Sequence, residues 1–304
     1  MKKFLAFLLL FCLPLGASAE IDVVASLFPQ YDFARTIAGD RANVTQLLPP
    51  GQDSHGYEPS MRELIGMSEA DLFLYTGDAM EPWAASLLGD IENLMVVDIS
   101  EGILTLPEHE HEAEHCEDDN CDGTHTEDAH SEEPHSHDAH IWLSPKNAIA
   151  MCENICKALI SVDPEGEEFY RANTDALIAE LTALDEAFAA LKPARTLFFA
   201  GKFAYSHFFD RYGFEYMSAY ESCSADAEPS ARRVVEITEA MKEEGALVLY
   251  VDELCDMRVA GALSAETGAE IRVFHTCHNI TSEQMENGVT YIDLMYENLK
   301  GIAE

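Results

Sequence analysis

Histidines and acidic residues crowd one short stretch of this chain. Eight of the twelve histidines lie within residues 109–140, which contain no lysine or arginine. Imidazole nitrogen and carboxylate oxygen bind divalent transition metals, and most imidazoles are neutral at pH 7. This composition cannot bury enough apolar surface to fold, so a disordered His/acid-rich loop is predicted over 108–139.

Two interpretations of this loop remain open. A solvated acidic linker would account for the negative charge alone, whereas the density of imidazoles favours metal capture. We therefore predict several weak auxiliary metal sites in the loop. The candidate ligands are His109, His111, His115, His125, His130, His135 and His137.

Short apolar segments alternate with predicted helices along the rest of the chain, a pattern typical of parallel sheets covered on both faces. Predicted strands lie at 21–27, 44–48, 72–75 and 94–97, and then at 196–200, 215–218, 246–251 and 271–274. The apolar spacing from Phe169 through Leu177 to Phe188 predicts a helix over about 165–191, roughly 40 Å long. We expect an α/β fold with two parallel-sheet lobes bridged by one long rigid helix and a metal site in the interlobe cleft. The expected boundaries are 20–163, 164–192 and 193–304.

The first nineteen residues have the pattern of a cleaved signal peptide. Lys2 and Lys3 precede an apolar run, and Ala17-Ser18-Ala19 forms a small-residue cleavage site. The apolar run is too short to span a bilayer. We expect an exported protein, periplasmic or at the cell surface and soluble after cleavage near Ala19, with a lipid anchor on Cys12 the less favoured alternative. The net charge of −38 excludes nucleic-acid binding and raises the local concentration of cations.

Seven cysteines follow Cys12, so at least one is unpaired or bound to a metal. Cys152 and Cys156 share a face of a predicted helix and are expected to be buried rather than bridged. Cys116 and Cys121, in the acidic loop, could form a local disulfide or add thiolates to metal capture. The sequence does not decide between these two interpretations.

Three histidines outside the predicted 108–139 loop are expected at one edge of the sheets. His55 and His275 follow predicted strands, and His140 precedes a helix that begins near Pro145. Ligands of open α/β sheets bind beyond the carboxyl ends of the strands. Three histidines from distant loops would suit a tetrahedral zinc site.

Several segments resemble those of the metal-binding receptors of bacterial zinc and manganese ABC importers, the cluster A-I solute-binding proteins. They are LLPPGQDSHGYEPS, HIWLSPKNA, AEPSARRVVEITEAMKEEG, ETGAEIRVF and YIDLMYENL. The resemblance covers nearly the whole mature chain. It includes a His-rich insertion before the second ligand, which in that family marks the zinc-type members. It implies two lobes joined by a rigid helix, with a metal in the cleft.

The resemblance assigns ligand positions residue by residue. His55 matches the first ligand and His140 the second. Lys202 occupies the position of the usual third histidine, and a protonated lysine cannot bind zinc. His207 lies about 140° around the same predicted helix from Lys202, so it cannot simply substitute. His275 occupies the position of the usual aspartate.

The fourth ligand stays open. Water or one of four side chains could supply it: Glu221, Cys223, Glu253 and His278. Alternatively, Cys223 and Cys277 could form a disulfide in the cleft wall, which we favour slightly, and Glu253 could cap the following helix.

We therefore expect a high-affinity Zn²⁺ receptor, with zinc as the transported ligand, that delivers it to an ABC permease and its separate ATPase. We expect it to act as a monomer. The alternatives are a receptor for manganese or another divalent metal, and a His-rich zinc buffer or sensor. No HExxH motif, nucleophile elbow or phosphate-binding glycine loop is present, so no enzyme activity is expected. Zinc affinity is expected to fall below about pH 6.5 as histidines become protonated.

Overall fold

The first lobe is built on a four-stranded parallel sheet. The computed structural model describes residues 21–88, 91–107, 137–192, 195–220, 223 and 228–303. The strands of this sheet are β1 (Ile21–Ala25), β2 (Ala42–Gln46), β3 (Leu72–Tyr75) and β4 (Met95–Asp98). Their order is β2-β1-β3-β4. Three helices accompany them: α1 (Phe28–Ala38), α2 (Met61–Met67) and α3 (Pro82–Leu88).

A two-residue ladder closes the base of the His/acid-rich stretch. The strands β5 (Leu106–Pro107) and β6 (His137–Asp138) pair antiparallel, with Pro107 opposite His137. Asp138 and Ala139 are buried. The predicted loop boundary at 139 is therefore corrected, because residues 137–139 belong to the folded part of the chain. Residues 108–136, including Cys116 and Cys121, lie outside the described residues, as does the predicted signal peptide.

Two long helices follow. The helix α4 (Pro145–Val162) has proline in its first turn, where an amide hydrogen would have no partner inside the helix. Cys152 and Cys156 are buried and free on this helix, as predicted. The helix α5 (Glu167–Ala190) has 24 residues and is about 36 Å long. Its buried stripe begins at Tyr170, whereas Phe169, which we had placed in the stripe, is 39% exposed.

The helix α5 contacts both lobes. At its start, the Asn173 amide donates to the carbonyl oxygen of Ile37 at 3.0 Å, in the first lobe. At its end, Phe188 packs against Phe208 with ring centroids 5.0 Å apart, in the second lobe. The aromatic and aliphatic core runs continuously from the first sheet past α5 to the second. The helix therefore braces the two lobes, as the sequence pattern indicated.

The second lobe repeats the parallel architecture. Its strands are β7 (Leu197–Phe199), β8 (Tyr216–Ser218), β9 (Val248–Val251) and β10 (Glu270–Val273). Their order is β10-β9-β7-β8, and all paired strands run parallel. The helices are α6 (Ser206–Tyr212), α7 (Ala231–Glu244), α8 (Met257–Thr267), α9 (Ser282–Glu286) and α10 (Tyr291–Ala303). Among the helices of the described ranges, none is both long and apolar enough to cross a membrane.

Candidate metal centre

Three side chains from distant parts of the chain converge between the two sheets. Each of His55, His140 and Cys223 offers one ligand atom, and these atoms lie within 4.8 Å of one another. His140 and Cys223 are buried, and His55 is half-buried. Among the histidine, cysteine, aspartate and glutamate side chains of the described residues, these three have ligand atoms close enough together to share one metal ion.

Two separations between donor atoms match those expected around one tetrahedral zinc ion. The Nε2 atoms of His55 and His140 are 3.3 Å apart, and the Sγ atom of Cys223 lies 3.4 Å from Nε2 of His140. Zinc bonds of about 2.0–2.1 Å to nitrogen and about 2.3 Å to sulfur would place such atoms about 3.3 Å and about 3.6 Å apart. The contact between Cys223 and His55 is longer, with 3.9 Å between Sγ and Nδ1.

The loop after β2 positions His55. Asp53 accepts a hydrogen bond from the backbone amide of His55 at 2.9 Å. Asn279, from the second half of the chain, donates to the carbonyl oxygens of Pro49 at 2.7 Å and Gln52 at 3.0 Å. Burial is the main cause that lowers the pKa of His55 to about 4, and the nearby charge of His140 lowers it further. The imidazole is therefore neutral and available to a metal at pH 7.

Asp138 orients His140. Its carboxylate accepts hydrogen bonds from the backbone amide of His140 at 2.9 Å and from Nδ1 at 2.5 Å. We assign the ring proton to Nδ1, which leaves Nε2 facing His55 and Cys223. Burial lowers the pKa of His140, but Cys223 and Asp138 outweigh this effect and raise it to about 10. A metal bound at Nε2 must therefore displace a proton from this group.

Cys223 enters the cluster from a loop of the second lobe, five residues beyond β8. Its thiol is free and buried. Cys277 is also free, and its Sγ atom lies 3.9 Å from the carbonyl oxygen of His275. The expected Cys223–Cys277 disulfide is therefore corrected, because the Cys223 sulfur faces the histidines instead.

His278 borders the cluster and has an unused nitrogen. Its ring centroid lies 4.5 Å from that of His140 and 5.0 Å from that of His55. Nδ1 lies 2.5 Å from Oγ1 of Thr276, whereas the buried Nε2 has no hydrogen-bond partner. Burial keeps the pKa of His278 well below its usual value, so the ring is neutral. A buried lone pair beside two ligand histidines is suited to complete the coordination.

We had expected His275 in the cluster, but in the structure its ring contacts other residues. Its Nδ1 accepts a hydrogen bond from the Cys277 amide at 2.9 Å and lies 3.4 Å from a carboxylate oxygen of Glu253. Asn298 holds the His275 backbone through both the amide and the carbonyl oxygen. The chain then turns at Cys277, which has φ of +58°. This turn brings His278 rather than His275 beside His140.

The other candidate residues have separate partners. Lys202 forms an ion pair with Asp53, with Nζ and Oδ2 3.2 Å apart. Glu253 binds the amide and hydroxyl of Thr276, and α8 is capped by Asp256 rather than by Glu253. His207 donates from Nε2 to the carbonyl oxygen of Asp138 at 2.9 Å, so it supports the site without joining it. Glu221 lies outside the described residues.

A cavity gives solvent access to the cluster from the second lobe. Its volume is about 530 Å³, and His55, Cys223 and His278 all line it. Lys202 and Cys255 also line this cavity. Such an opening would let a hydrated ion reach the donor atoms and exchange its water for protein ligands.

Comparisons with known proteins identify the family of this chain. A profile of the family described as "Zinc-uptake complex component A periplasmic" matches residues 23–304. The zinc-binding lipoprotein AdcA of Streptococcus pneumoniae is 34% identical over 95% of this chain, although the match spans only 56% of that relative. The high-affinity zinc uptake system protein ZnuA of Bacillus subtilis is 30% identical over 94% of this chain and 87% of its own length.

Solved structures share the fold. The Zn(II)-bound ZnuA-like domain of Streptococcus pneumoniae AdcA superposes with a TM-score of 0.75 and 28% sequence identity. The superposition covers 93% of this chain and 98% of that domain. With two parallel-sheet lobes, a bracing helix and histidines between the lobes, this chain belongs to the zinc-uptake complex component A family.

Proposed function

We propose that this protein is an extracytoplasmic, high-affinity zinc receptor that delivers Zn²⁺ to an ABC-type permease with a separate ATPase. The zinc ion is the transported substrate. His55, His140, Cys223 and His278 hold it between the two lobes. The observation that carries this proposal is the convergence of three donor side chains, with two of the separations between their donor atoms fitting tetrahedral zinc.

The surroundings of these donors support tight binding of a single ion. Asp138 fixes the His140 ring, and Thr276 lies against Nδ1 of His278, so each ring presents Nε2. Four protein ligands fill a tetrahedral shell and leave no open position for a reacting water molecule. This supports a receptor rather than a hydrolytic enzyme. The names of the relatives, zinc-binding and zinc-uptake proteins, support the same substrate.

The export and delivery steps rest on the family and on the sequence. A family described as periplasmic agrees with the signal-like first nineteen residues. The weak sites proposed for the histidines of 108–136 would raise the zinc concentration near the cleft. The ladder between β5 and β6 places the ends of this stretch beside each other on the folded part of the chain.

Calorimetric zinc titration of residues 20–304 tests the proposal. A second protein has residues 108–136 replaced by a short Gly/Ser linker, which preserves Asp138. We expect it to keep one tight zinc site and to lose only weak binding. In this shortened protein, His55→Ala combined with His140→Ala should abolish the tight site.

A matched pair of single substitutions compares the two histidines. His278→Ala should weaken zinc binding more than His275→Ala does, because His275 contacts the Cys277 amide and Glu253 rather than the cluster. Thermal unfolding without metal would verify that each variant folds. If shortening the loop removes all tight binding, the cleft is not the zinc site and the protein is a histidine-rich buffer.

A further inference from the structure

We propose that Cys223 makes this a sulfur–nitrogen site that selects thiophilic divalent ions, Zn²⁺ and Cd²⁺, and excludes Mn²⁺. The inference rests on the proposed receptor function and defines the class of metal that the receptor accepts. It concerns a position, beyond β8, to which the family resemblance assigned no ligand. The alternative that it addresses is a manganese receptor of the same fold.

The sulfur atom lies where a ligand must lie. Sγ of Cys223 is 3.4 Å from Nε2 of His140 and 3.9 Å from Nδ1 of His55. The thiol has formed no disulfide and is buried against these rings. A metal at the centre of the cluster would therefore contact sulfur as well as nitrogen.

The carboxylates around the cluster are engaged in other contacts. Asp138 binds His140 Nδ1 and the amide of Ser206. Glu253 binds the amide and hydroxyl of Thr276. No carboxylate of the described residues belongs to the cluster of candidate metal ligands.

Two further carboxylates near the cavity also have hydrogen-bond or ion-pair partners. Asp53 binds the His55 amide and the Lys202 ammonium group. Asp252 accepts hydrogen bonds from the amides of Lys202 and Leu254 at 2.9 Å and 3.0 Å. Each of these carboxylates therefore already has hydrogen-bond partners. Among the described residues, the donor set that we propose is three imidazoles and one thiolate, without a carboxylate oxygen.

This donor set determines the metal preference. Thiolate and imidazole bind zinc well, and thiolate favours soft ions such as cadmium still more, whereas manganese binds best to carboxylate, carbonyl and water oxygen. At a site without carboxylate ligands, Mn²⁺ would give up its bound water molecules for nitrogen and sulfur ligands that bind it only weakly. The presence of sulfur therefore separates this site from an oxygen-rich manganese site.

Metal competition in the protein with 108–136 replaced tests the inference, because that protein lacks the loop histidines, Cys116 and Cys121. Affinities for Zn²⁺, Cd²⁺ and Mn²⁺ would be measured beside the ultraviolet charge-transfer absorption of the Cd²⁺ complex, which reports a metal–thiolate bond. We expect Cd²⁺ to bind at least as tightly as Zn²⁺, and Mn²⁺ at least about a thousandfold more weakly.

Three variants isolate the role of the sulfur. Cys223→Ser should abolish the charge-transfer band and lower Cd²⁺ affinity by at least about a hundredfold, more than it lowers Zn²⁺ affinity. Cys223→His should restore zinc binding without the cadmium preference. Cys255→Ser is the matched control, because Cys255 lines the same cavity but lies outside the cluster. It should change neither the band nor the affinities.

The outcomes separate this inference from the proposed function. If the shortened protein binds Zn²⁺ tightly but Cys223→Ser keeps the same metal preference, the thiolate inference is overturned and the receptor proposal stands. Tight Mn²⁺ binding by the unsubstituted protein would also overturn the thiolate inference and leave the receptor proposal standing. If the shortened protein binds none of the metals tightly, both proposals fail together.

Discussion

The two lobes have the same strand order but carry different candidate ligands at equivalent positions. In the first lobe the order is β2-β1-β3-β4, and in the second it is β8-β7-β9-β10. The strand β2 therefore corresponds to β8, and each is followed by a loop that enters the cleft. The first of these loops carries His55 and the second carries Cys223. Equivalent loops thus present a nitrogen donor and a sulfur donor to the proposed metal site.

Contacts from the second half of the chain hold the loop that carries His55. Asn279 donates a hydrogen bond to this loop, and the carbonyl oxygen of Ile280 accepts one from the Gly51 amide. Within the loop, Asp53 accepts a hydrogen bond from the His55 amide. Topology therefore determines where this candidate ligand lies, and the loop contacts determine how it is positioned.

The largest expected effect is the loss of either equivalent ligand. We expect His55→Ala and Cys223→Ala each to lower zinc affinity by at least about a hundredfold, since loss of an outer-shell partner alone typically costs ten- to a hundredfold. Competition against a chromophoric chelator would measure both. If either variant kept its zinc affinity, the two loops would not both supply a zinc ligand.

Asp138→Asn should have a smaller effect. The substitution removes the charged acceptor that fixes the Nδ1 proton of His140, so we expect a ten- to hundredfold loss of zinc affinity. The same competition titration would measure it, with thermal unfolding of the metal-free protein as the control because Asp138 also binds the Ser206 amide. Full affinity in a folded variant would show that His140 is oriented by other contacts.

The pH dependence sharpens the comparison between the two histidines. The pKa of His140 is raised to about 10, so zinc must displace its proton at neutral pH, and affinity should rise by up to about tenfold per pH unit from pH 6 to 8. The pKa of His55, lowered to about 4, adds no proton competition in this range. Titrations at several pH values would show this slope. A plateau above pH 6.5, as for unperturbed histidines, would contradict the assigned protonation.

Asn279→Ala should have the smallest effect. It removes the two hydrogen bonds to Pro49 and Gln52 but no ligand, so we expect zinc affinity to fall by about three- to tenfold through looser placement of His55. Stopped-flow measurement should show faster zinc release, because a less rigid loop opens more often. A loss as large as that of His55→Ala would mean that the loop is folded only through Asn279.

Much of the fold was predictable because apolar strands and helices alternate regularly. The predicted helix at about 165–191 contains α5, and the predicted strand at 72–75 coincides with β3. The two-residue ladder of β5 and β6 was missed because it joins residues about thirty positions apart and has no pattern of its own. The burial of Tyr170 in place of Phe169 depends on the final rotation of α5 against its neighbours.

The site was less predictable, since it depends on which side chain a turn directs into the cleft. His55 and His140 were proposed from residue type and position relative to predicted elements, and the structure brings them together. His275 was expected in place of His278 because the sequence does not show that Asn298 holds one and that Cys277 turns the chain toward the other. Cys223 was considered only as one possible fourth ligand. The shared strand order would have singled it out, because it follows β8 as His55 follows β2.

X-ray absorption spectroscopy at the zinc edge tests the central claim most directly. The sample is the protein with 108–136 replaced, loaded with one equivalent of zinc, so that Cys223 is the thiol available beside the histidines. We expect four ligand atoms around the zinc ion, with one sulfur at about 2.3 Å and nitrogen at about 2.0–2.1 Å. A shell of nitrogen and oxygen alone would contradict it.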